Sequence, residues 1–253
     1  MHVSLPDPPW SSVVSVVNQV EARLLARVDW ERVARELDAD GWSRLGRLLR
    51  RAECGALARL YDDDARFRST VDMQRHRFGR GEYRYFASPL PPLVAVLRGG
   101  LYEHLAPLAR RWAAALGRPD DYPRTLTEYL ARCHRAGQTR PTPLLLRYRA
   151  GDYNCLHQDL YGAMAFPFQV VVPLSEPGRD HDGGELIIYE QRPRQQSRAT
   201  AVVIAAGEGV VFTNRERPVR GARGVFRAQM RHGLSTVTRG ERVALGIIFH
   251  DAA

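Results

Sequence analysis

The chain has 253 residues, 44% of them apolar, and a formal charge of +9 carried by arginine alone, because no lysine occurs. That length fits one large domain, or a domain with a helical extension, and the apolar fraction is enough to bury a core. No apolar stretch is long enough to span a bilayer, the N-terminus lacks a signal-peptide pattern, and three widely spaced cysteines, Cys54, Cys133 and Cys155, point to a reducing, cytoplasmic setting without a disulfide framework.

Residues 1–12, rich in proline and serine, read as loose, and 13–25 have helical spacing. Another helix begins at Asp29, a candidate N-cap with Glu31 in the first turn, and breaks at Asp40-Gly41. Residues 42–49 read as a short strand and turn, and 52–61 as a helix. In 75–86, Phe78, Tyr83, Tyr85 and Phe86 interleave with Arg75, Arg77, Arg80 and Arg84 around glycines, which predicts a β-hairpin. As a substrate lid it would stack bases on its aromatics and meet phosphates with its arginines; as an ordinary hairpin it would lay one face on the core. Pro89-Leu90-Pro91-Pro92 marks a loop. Residues 93–116 read as a helix split by Gly99-Gly100, 118–121 as a turn and 122–135 as a further helix. From Thr142 the pattern changes to short strands, at 143–149, 154–159, 168–174, 185–190, 200–205, 209–213, 224–231 and 242–250. Such a series, separated by turns, fits a double-sheet jelly roll. Gly183-Gly184 reads as a tight turn into one of these strands.

The chemistry gathers at His157-Gln158-Asp159. On an extended strand residues i and i+2 share a face, so His157 and Asp159 reach one metal together while Gln158 turns away. His232 supplies a second imidazole. Two imidazoles and one carboxylate on one face of an ion, with other positions open, are the donor set of non-haem Fe(II) oxygenases. Alone the His-x-Asp pair is weak, since a chain with eight histidines can contain one by chance. His181-Asp182 and His250-Asp251 are rivals, set aside because adjacent strand residues face opposite ways. Cys155 reads as a small buried hydrophobe beside the site rather than a ligand. Arg242 enters the apolar run 243–249 after Thr238-Arg239-Gly240-Glu241, which reads as a turn. An arginine entering a buried strand needs an anionic partner, either a bound carboxylate gripped by its fork or an Asp or Glu of the chain.

The ordered set His157, Asp159, Gly183-Gly184, His232 and Arg242 resembles the Fe(II)- and 2-oxoglutarate-dependent dioxygenases over residues 142–250, near their prolyl-hydroxylase-like branch. The run Arg147-Tyr148-Arg149-Ala150-Gly151-Asp152-Tyr153-Asn154-Cys155-Leu156-His157-Gln158-Asp159-Leu160-Tyr161-Gly162 is similar to that of a bacterial family described as acting oxidatively on damaged DNA. The resemblance implies an α+β fold. Its core would be a double-stranded β-helix (a cupin-like jelly roll) over 142–253, with 1–141 as a helical and lid extension packed on it in one structural unit. It implies Fe(II) on His157, Asp159 and His232, with open positions for 2-oxoglutarate and O2. Arg242 would hold the far carboxylate of 2-oxoglutarate, with Tyr148 or Tyr153, and Asn154, as further contacts. The implied reaction couples decarboxylation of 2-oxoglutarate to succinate with hydroxylation, here oxidative demethylation of alkylated DNA. Hydroxylation of a protein or small molecule is the alternative. A non-catalytic jelly-roll binding protein is the third reading, and the complete residue set argues against it. Two departures stand out. The gap from His157 to His232 is long, with the extra length expected in loops at 190–200 and 213–224. The last strand also lacks the second arginine carried by one group of DNA-repair oxygenases.

Arginines cluster at Arg192, Arg194 and Arg198, at Arg215, Arg217, Arg220, Arg223, Arg227 and Arg231, and in the 75–86 stretch. Strand alternation puts Arg223, Arg227 and Arg231 on the face opposite His232. If these segments line the mouth of the barrel they form a positive rim for nucleic-acid phosphates. Arginine is also this chain's only cation, and a solvated surface would carry it without any partner.

Overall fold

The computed structural model describes residues 24–119, 122–160, 162–222 and 224–253. The loose stretch 1–12, most of the expected helix 13–25, Asp120-Asp121 of the expected turn and Arg223 lie outside the described residues. Helix α1 (Trp30–Asp40) starts where Asp29 accepts the Arg32 N–H, and ends where Gly41, at φ 77°, turns left-handed and donates to the Leu37 carbonyl. Strand β1 (Trp42–Arg47) and helix α2 (Arg51–Arg59) follow. Next come β2 (Phe67–Asp72), β3 (Gly79–Arg80), β4 (Glu82–Phe86), helix α3 (Pro92–Ala115) and helix α4 (Leu126–Arg135). The rest is strand: β5 (Leu144–Arg149), β6 (Tyr153–His157), β7 (Phe168–Pro173), β8 (His181–Gly183) and β9 (Leu186–Gln191). It closes with β10 (Arg198–Val202), β11 (Glu208–Thr213), β12 (Glu216–Gly221), β13 (Gly224–Leu234) and β14 (Val237–Ile248).

These strands form two antiparallel sheets. The larger runs β1-β11-β7-β14-β5-β4-β2, with β8 also on β14; the smaller runs β10-β9-β13-β6-β3, with β12 on β13. Strands from before residue 142 and after it share both sheets. Alternation along the larger sheet separates two environments. Leu145, Phe168, Val170, Val172, Leu245, Ile247 and Phe249 join the main core with Leu97, Leu101, Leu105 and Trp112 of α3, and the Trp112 and Phe168 rings meet at 4.7 Å. The opposite parity, Leu144, Leu146, Tyr148, Gln169, Val171, Arg242, Gly246 and Ile248, lines a cavity. No helix among the described residues is long and apolar enough to cross a membrane.

Four local expectations change. Helix α3 runs unbroken through Gly99-Gly100 and Pro107. Glycine costs about 1 kcal/mol in a helix, and the buried stripe from Val94 to Trp112 outweighs it. Residues 75–86 are not a hairpin closed on itself: β3 pairs with β6, while β4 lies between β2 and β5. The partner β2 is half-buried without clear alternation, so its sequence carries little signal. Thr238–Glu241 is not a turn but part of β14, because β8 pairs with it through an irregularity at Val237/Arg239. Part of the stretch 213–224 is not a loop but β12, an edge strand on which Pro218 is tolerated.

Candidate metal centre

His157 ends β6, and its cross-strand neighbour on β13 is His232. Their ring centroids lie 4.2 Å apart. Asp159 lies just beyond the end of β6, so the irregular segment after the strand brings it in rather than regular strand alternation. Its Oδ1 is 3.5 Å from His157 Nε2 and its Oδ2 is 3.2 Å from His232 Nε2. One donor atom from each of the three lies within 4.8 Å of the others, a spacing that can hold a metal ion. His157 Nδ1 sits 2.7 Å from the Cys155 carbonyl and donates there, so Nε2 is the ring nitrogen turned toward the group. Gln158 borders the cavity too, but its side-chain amide donates to the carbonyls of Arg215 and Met230 at 3.0 and 2.8 Å rather than to the donor group. Those bonds tie the segment carrying Asp159 to β13 and to the residue just before β12.

Burial pushes the Asp159 carboxyl pKa up, but hydrogen bonds from His157 and His232 and their charge hold it well below the usual range. Burial pulls His157 down, and the Asp159 contact outweighs it and raises it. Burial and the neighbouring His157 lower His232. A carboxylate and a neutral imidazole are the forms that bind metals. The rival pair His250-Asp251 is engaged elsewhere: His250 Nδ1 accepts the Phe166 N–H at 3.2 Å, and Asp251 pairs with Arg98 at 2.8 Å and His134 at 2.9 Å.

A β-bulge shapes the site. Opposite β13, the register shifts between His232/His157 and Leu234/Asn154, so β6 carries one extra residue. Asn154 and His157 therefore both face the cavity, while Cys155 and Leu156 both turn outward. Cys155 is thus exposed, not buried beside the site. Gly233 permits the close approach, since a Cβ there would lie 2.7 Å from the Asn154 carbonyl oxygen. The outward face of β6 also takes Tyr153, which is 41% exposed and absent from the cavity wall. Tyr148 and Asn154 line the cavity instead, with Asn154 Nδ2 donating to the Tyr148 hydroxyl at 3.4 Å.

The cavity measures about 220 Å³. Arg242, paired in register with Tyr148, is 3% exposed and makes no ion pair within 4.0 Å among the described residues. Burial lowers its pKa against the opposing pull of Tyr148 and Glu185. Of the aromatics expected in a substrate lid, Phe78 and Tyr83 line the cavity, whereas sequence reasoning passed over Gln169 and Phe212. Gln169 Nε2 lies 2.9 Å from His232 Nε2, and the Phe212 ring lies 4.7 Å from that of His232. Gln169 was visible as a lone polar residue inside the apolar run Phe168–Pro173. Phe212 carries no signal that separates it from a core aromatic.

The arginines divide. Arg217 is buried, paired with Glu190 at 2.6 Å, and Arg84 pairs with Asp64 at 2.6 Å over the Tyr61 ring. Arg192 pairs with Glu190, Arg198 with Asp40, Arg75 with Asp72 and Arg80 with Asp152. Arg77, Arg194, Arg215, Arg220, Arg227 and Arg231 are exposed with no ion pair among the described residues. Arg227 and Arg231 stand on the outer face of β13, opposite buried His232. Arg77 adjoins Phe78 of the cavity wall, and the Arg215 carbonyl accepts from Gln158.

Residues 81–252 match the model of the Oxygenase-NA family, described as an oxygenase catalysing oxidative methylation of damaged DNA. Over 168 residues the chain is 54% identical to an uncharacterized protein of Mycobacterium tuberculosis, covering 66% of this chain and 72% of that protein. Its fold is similar to a Pseudomonas putida prolyl-4-hydroxylase, with TM-score 0.53, 18% identity and coverage of 88% of this chain and 99% of that one. It is also similar to a Trichoplax adhaerens prolyl hydroxylase in complex with a peptide of hypoxia inducible factor, with TM-score 0.51, 13% identity and coverage of 97% and 94%.

Proposed function

The chain belongs to the Oxygenase-NA family of oxygenases, and from that premise we propose that it is an Fe(II)- and 2-oxoglutarate-dependent dioxygenase, built on a double-stranded β-helix, that removes methyl groups from alkylated bases of damaged DNA. One observation carries the reading: a His-Asp-His donor set and a buried arginine with no ion pair within 4.0 Å among the described residues line the same cavity. Two imidazoles and one carboxylate, with the remaining positions free, suit non-haem Fe(II). His157, Asp159 and His232 would hold it. When bound, the iron supplies the site where O2 and the 2-oxo acid react to succinate, carbon dioxide and an oxidant able to take hydrogen from a C–H bond.

The chain's own residues do the rest. Arg242 offers its fork to the far carboxylate of 2-oxoglutarate, a charge-assisted contact that the apolar walls of Leu144, Leu146, Leu186 and Leu234 strengthen. The Tyr148 hydroxyl and Asn154 amide sit beside that end of the cavity and orient the cosubstrate. Phe78, 48% exposed, stands in the cavity wall and offers a face for an unpaired base. Hydroxylating an N-methyl carbon gives a hemiaminal that sheds formaldehyde and restores the base. One oxygen atom of O2 leaves in formaldehyde and the other in succinate. With Cys54, Cys133 and Cys155 all free, we place the reaction in the cytoplasm.

A hydroxylase of peptides is the second reading, favoured by the exposed apolar side chains Phe78, Leu156 and Leu160. The test offers methylated single-stranded oligonucleotides and proline-containing peptides in parallel, with iron and 2-oxoglutarate. Formaldehyde and succinate formed in equal amounts with an oligonucleotide are expected. Succinate coupled only to a hydroxylated peptide would overturn the DNA reading.

A further inference from the structure

Behind Arg242 lies a second cavity of about 110 Å³, lined by His181, Gly183, Gly184, Glu185, Val202 and Ile204 among others. Arg242 lines both cavities, so the residue stands between them. Strand β8 puts His181 there: it pairs with Gly240, just before Arg242 on β14. Gly184 leaves room for the arginine, since a Cβ there would lie 2.8 Å from Arg242 Cδ.

His181 is 2% exposed. Its Nδ1 lies 3.1 Å from the Gly183 carbonyl, which can only accept, so Nδ1 carries the proton and Nε2 is a lone pair. That Nε2 is buried with no hydrogen-bond partner among the described residues. Burial and the nearby positive charge of Arg242 lower the His181 pKa and keep the ring neutral. A buried acceptor left unmet costs about 1–3 kcal/mol. Arg242 has the complementary excess, because a guanidinium carries more N–H donors than one carboxylate accepts. The Glu185 carboxylate on the same wall is taken by the Ser235 hydroxyl. The cavity has room for several waters, and one can accept from Arg242 and donate to His181.

We propose that His181 is a positioning residue: through an ordered water in the second cavity it holds the Arg242 fork in the orientation that receives the far carboxylate of 2-oxoglutarate. This rests on the reading of Arg242 given above. It assigns a task to a cavity and a histidine that the reaction itself does not use.

The test measures 2-oxoglutarate binding by calorimetry with Mn(II) in place of iron and oxygen excluded, together with KM and kcat. His181→Asn keeps a donor at the Nδ1 position for Gly183 and removes the acceptor facing the cavity. Its Kd and KM for 2-oxoglutarate are expected to rise roughly three- to tenfold, with Mn(II) affinity and kcat nearly unchanged. His181→Gln puts an amide oxygen near the Nε2 position and is expected to bind nearly as the parent does. A purely structural role at the β8 turn gives the reverse ranking, and that ranking, or equal loss in both variants, overturns the proposal. Ile204→Phe fills the cavity from a different side and leaves His181 in place, so it tests the water bridge even where His181→Asn fails to fold. Parent-like binding by Ile204→Phe overturns the bridge. Arg242→Met separates the two ideas. Parent-like binding in that variant removes the reading of Arg242 itself; weak binding there beside parent-like binding in His181→Asn removes only the proposal for His181.

Discussion

Asp159 carries the only carboxylate among the three donor side chains, and both histidines lean on it at 3.5 and 3.2 Å. Replacing it by alanine removes the one anionic donor and leaves two imidazoles, one of them fully buried, without their partner. Asp159→Ala is therefore expected to abolish iron-dependent turnover of 2-oxoglutarate in a chain that still folds. Circular dichroism would check the fold and succinate release the activity; turnover at the parental rate would remove Asp159 from the site. At this scale the sequence was informative because chemistry depends on residue type: His157, Asp159, His232 and Arg242 could each be named before any geometry. It could not rank Tyr148 above Tyr153. The two differ only in which way β6 and β5 turn them, and the β6 bulge sets the outward face on which Tyr153 stands.

The pairing of β6 with β13 is the element that assembles the centre. It needs Gly233 because the bulged strand passes where a Cβ would be, 2.7 Å from the Asn154 oxygen and 3.2 Å from Cys155 backbone atoms. Backbone on both sides leaves little room to yield, and overpacking of this kind costs about 1–3 kcal/mol. Gly233→Ala is expected to lower the melting temperature and to weaken Mn(II) binding, since His157 and His232 lie on the two strands being pushed apart. Unchanged metal affinity, read by calorimetry, would show that the bulge does not set the donor spacing. The end of β14 supplies a second case. His250 is fully buried, and burial lowers its pKa to about 4. An unfolded histidine titrates near 6.5, so below that pH the unfolded chain takes up a proton that the folded chain refuses. The stability is present above about pH 6.5 and is lost as the pH falls toward 4, by roughly 3 kcal/mol in all. Denaturant midpoints at pH 7.5 and 4.5 are expected to differ less in His250→Asn, which keeps an acceptor for the Phe166 N–H, than in the parent. Equal pH slopes would assign the acid loss to other groups.

Across the whole molecule the charge of +9 is not one surface. Ion pairs absorb Arg84, Arg192, Arg198 and Arg217, and Arg227 and Arg231 face outward from β13, away from the cavity. Arg77 and Arg215 remain as exposed cations attached to segments that touch the cavity wall. Binding of single-stranded DNA is expected to fall steeply with salt, each phosphate contact contributing about 0.7 to the logarithmic slope. Arg77→Ala with Arg215→Ala is expected to flatten that slope by roughly 1 to 1.5. A slope that stays parental would place the DNA contact elsewhere or favour the peptide reading.

Sequence alone determined the class of this protein. Polar-apolar alternation, turn residues and the order of a few reactive side chains are local properties, and they suffice to mark a strand-rich region and to name the donors of a metal site. Tertiary structure decided everything that depends on a partner. β2 and β8 exist as strands because β4 and β14 lie beside them. Helix α3 continues through two glycines and a proline because its stripe is buried on the larger sheet. Cys155 is exposed and Asn154 enclosed because β13 offers one residue where β6 has two. Which arginines have a neighbouring carboxylate was decided in the same way. Arg217 met Glu190, whereas Arg242 makes no ion pair within 4.0 Å among the described residues. Charge is written in the sequence, but a counter-ion is a matter of distance, and distance exists only once the sheets have closed.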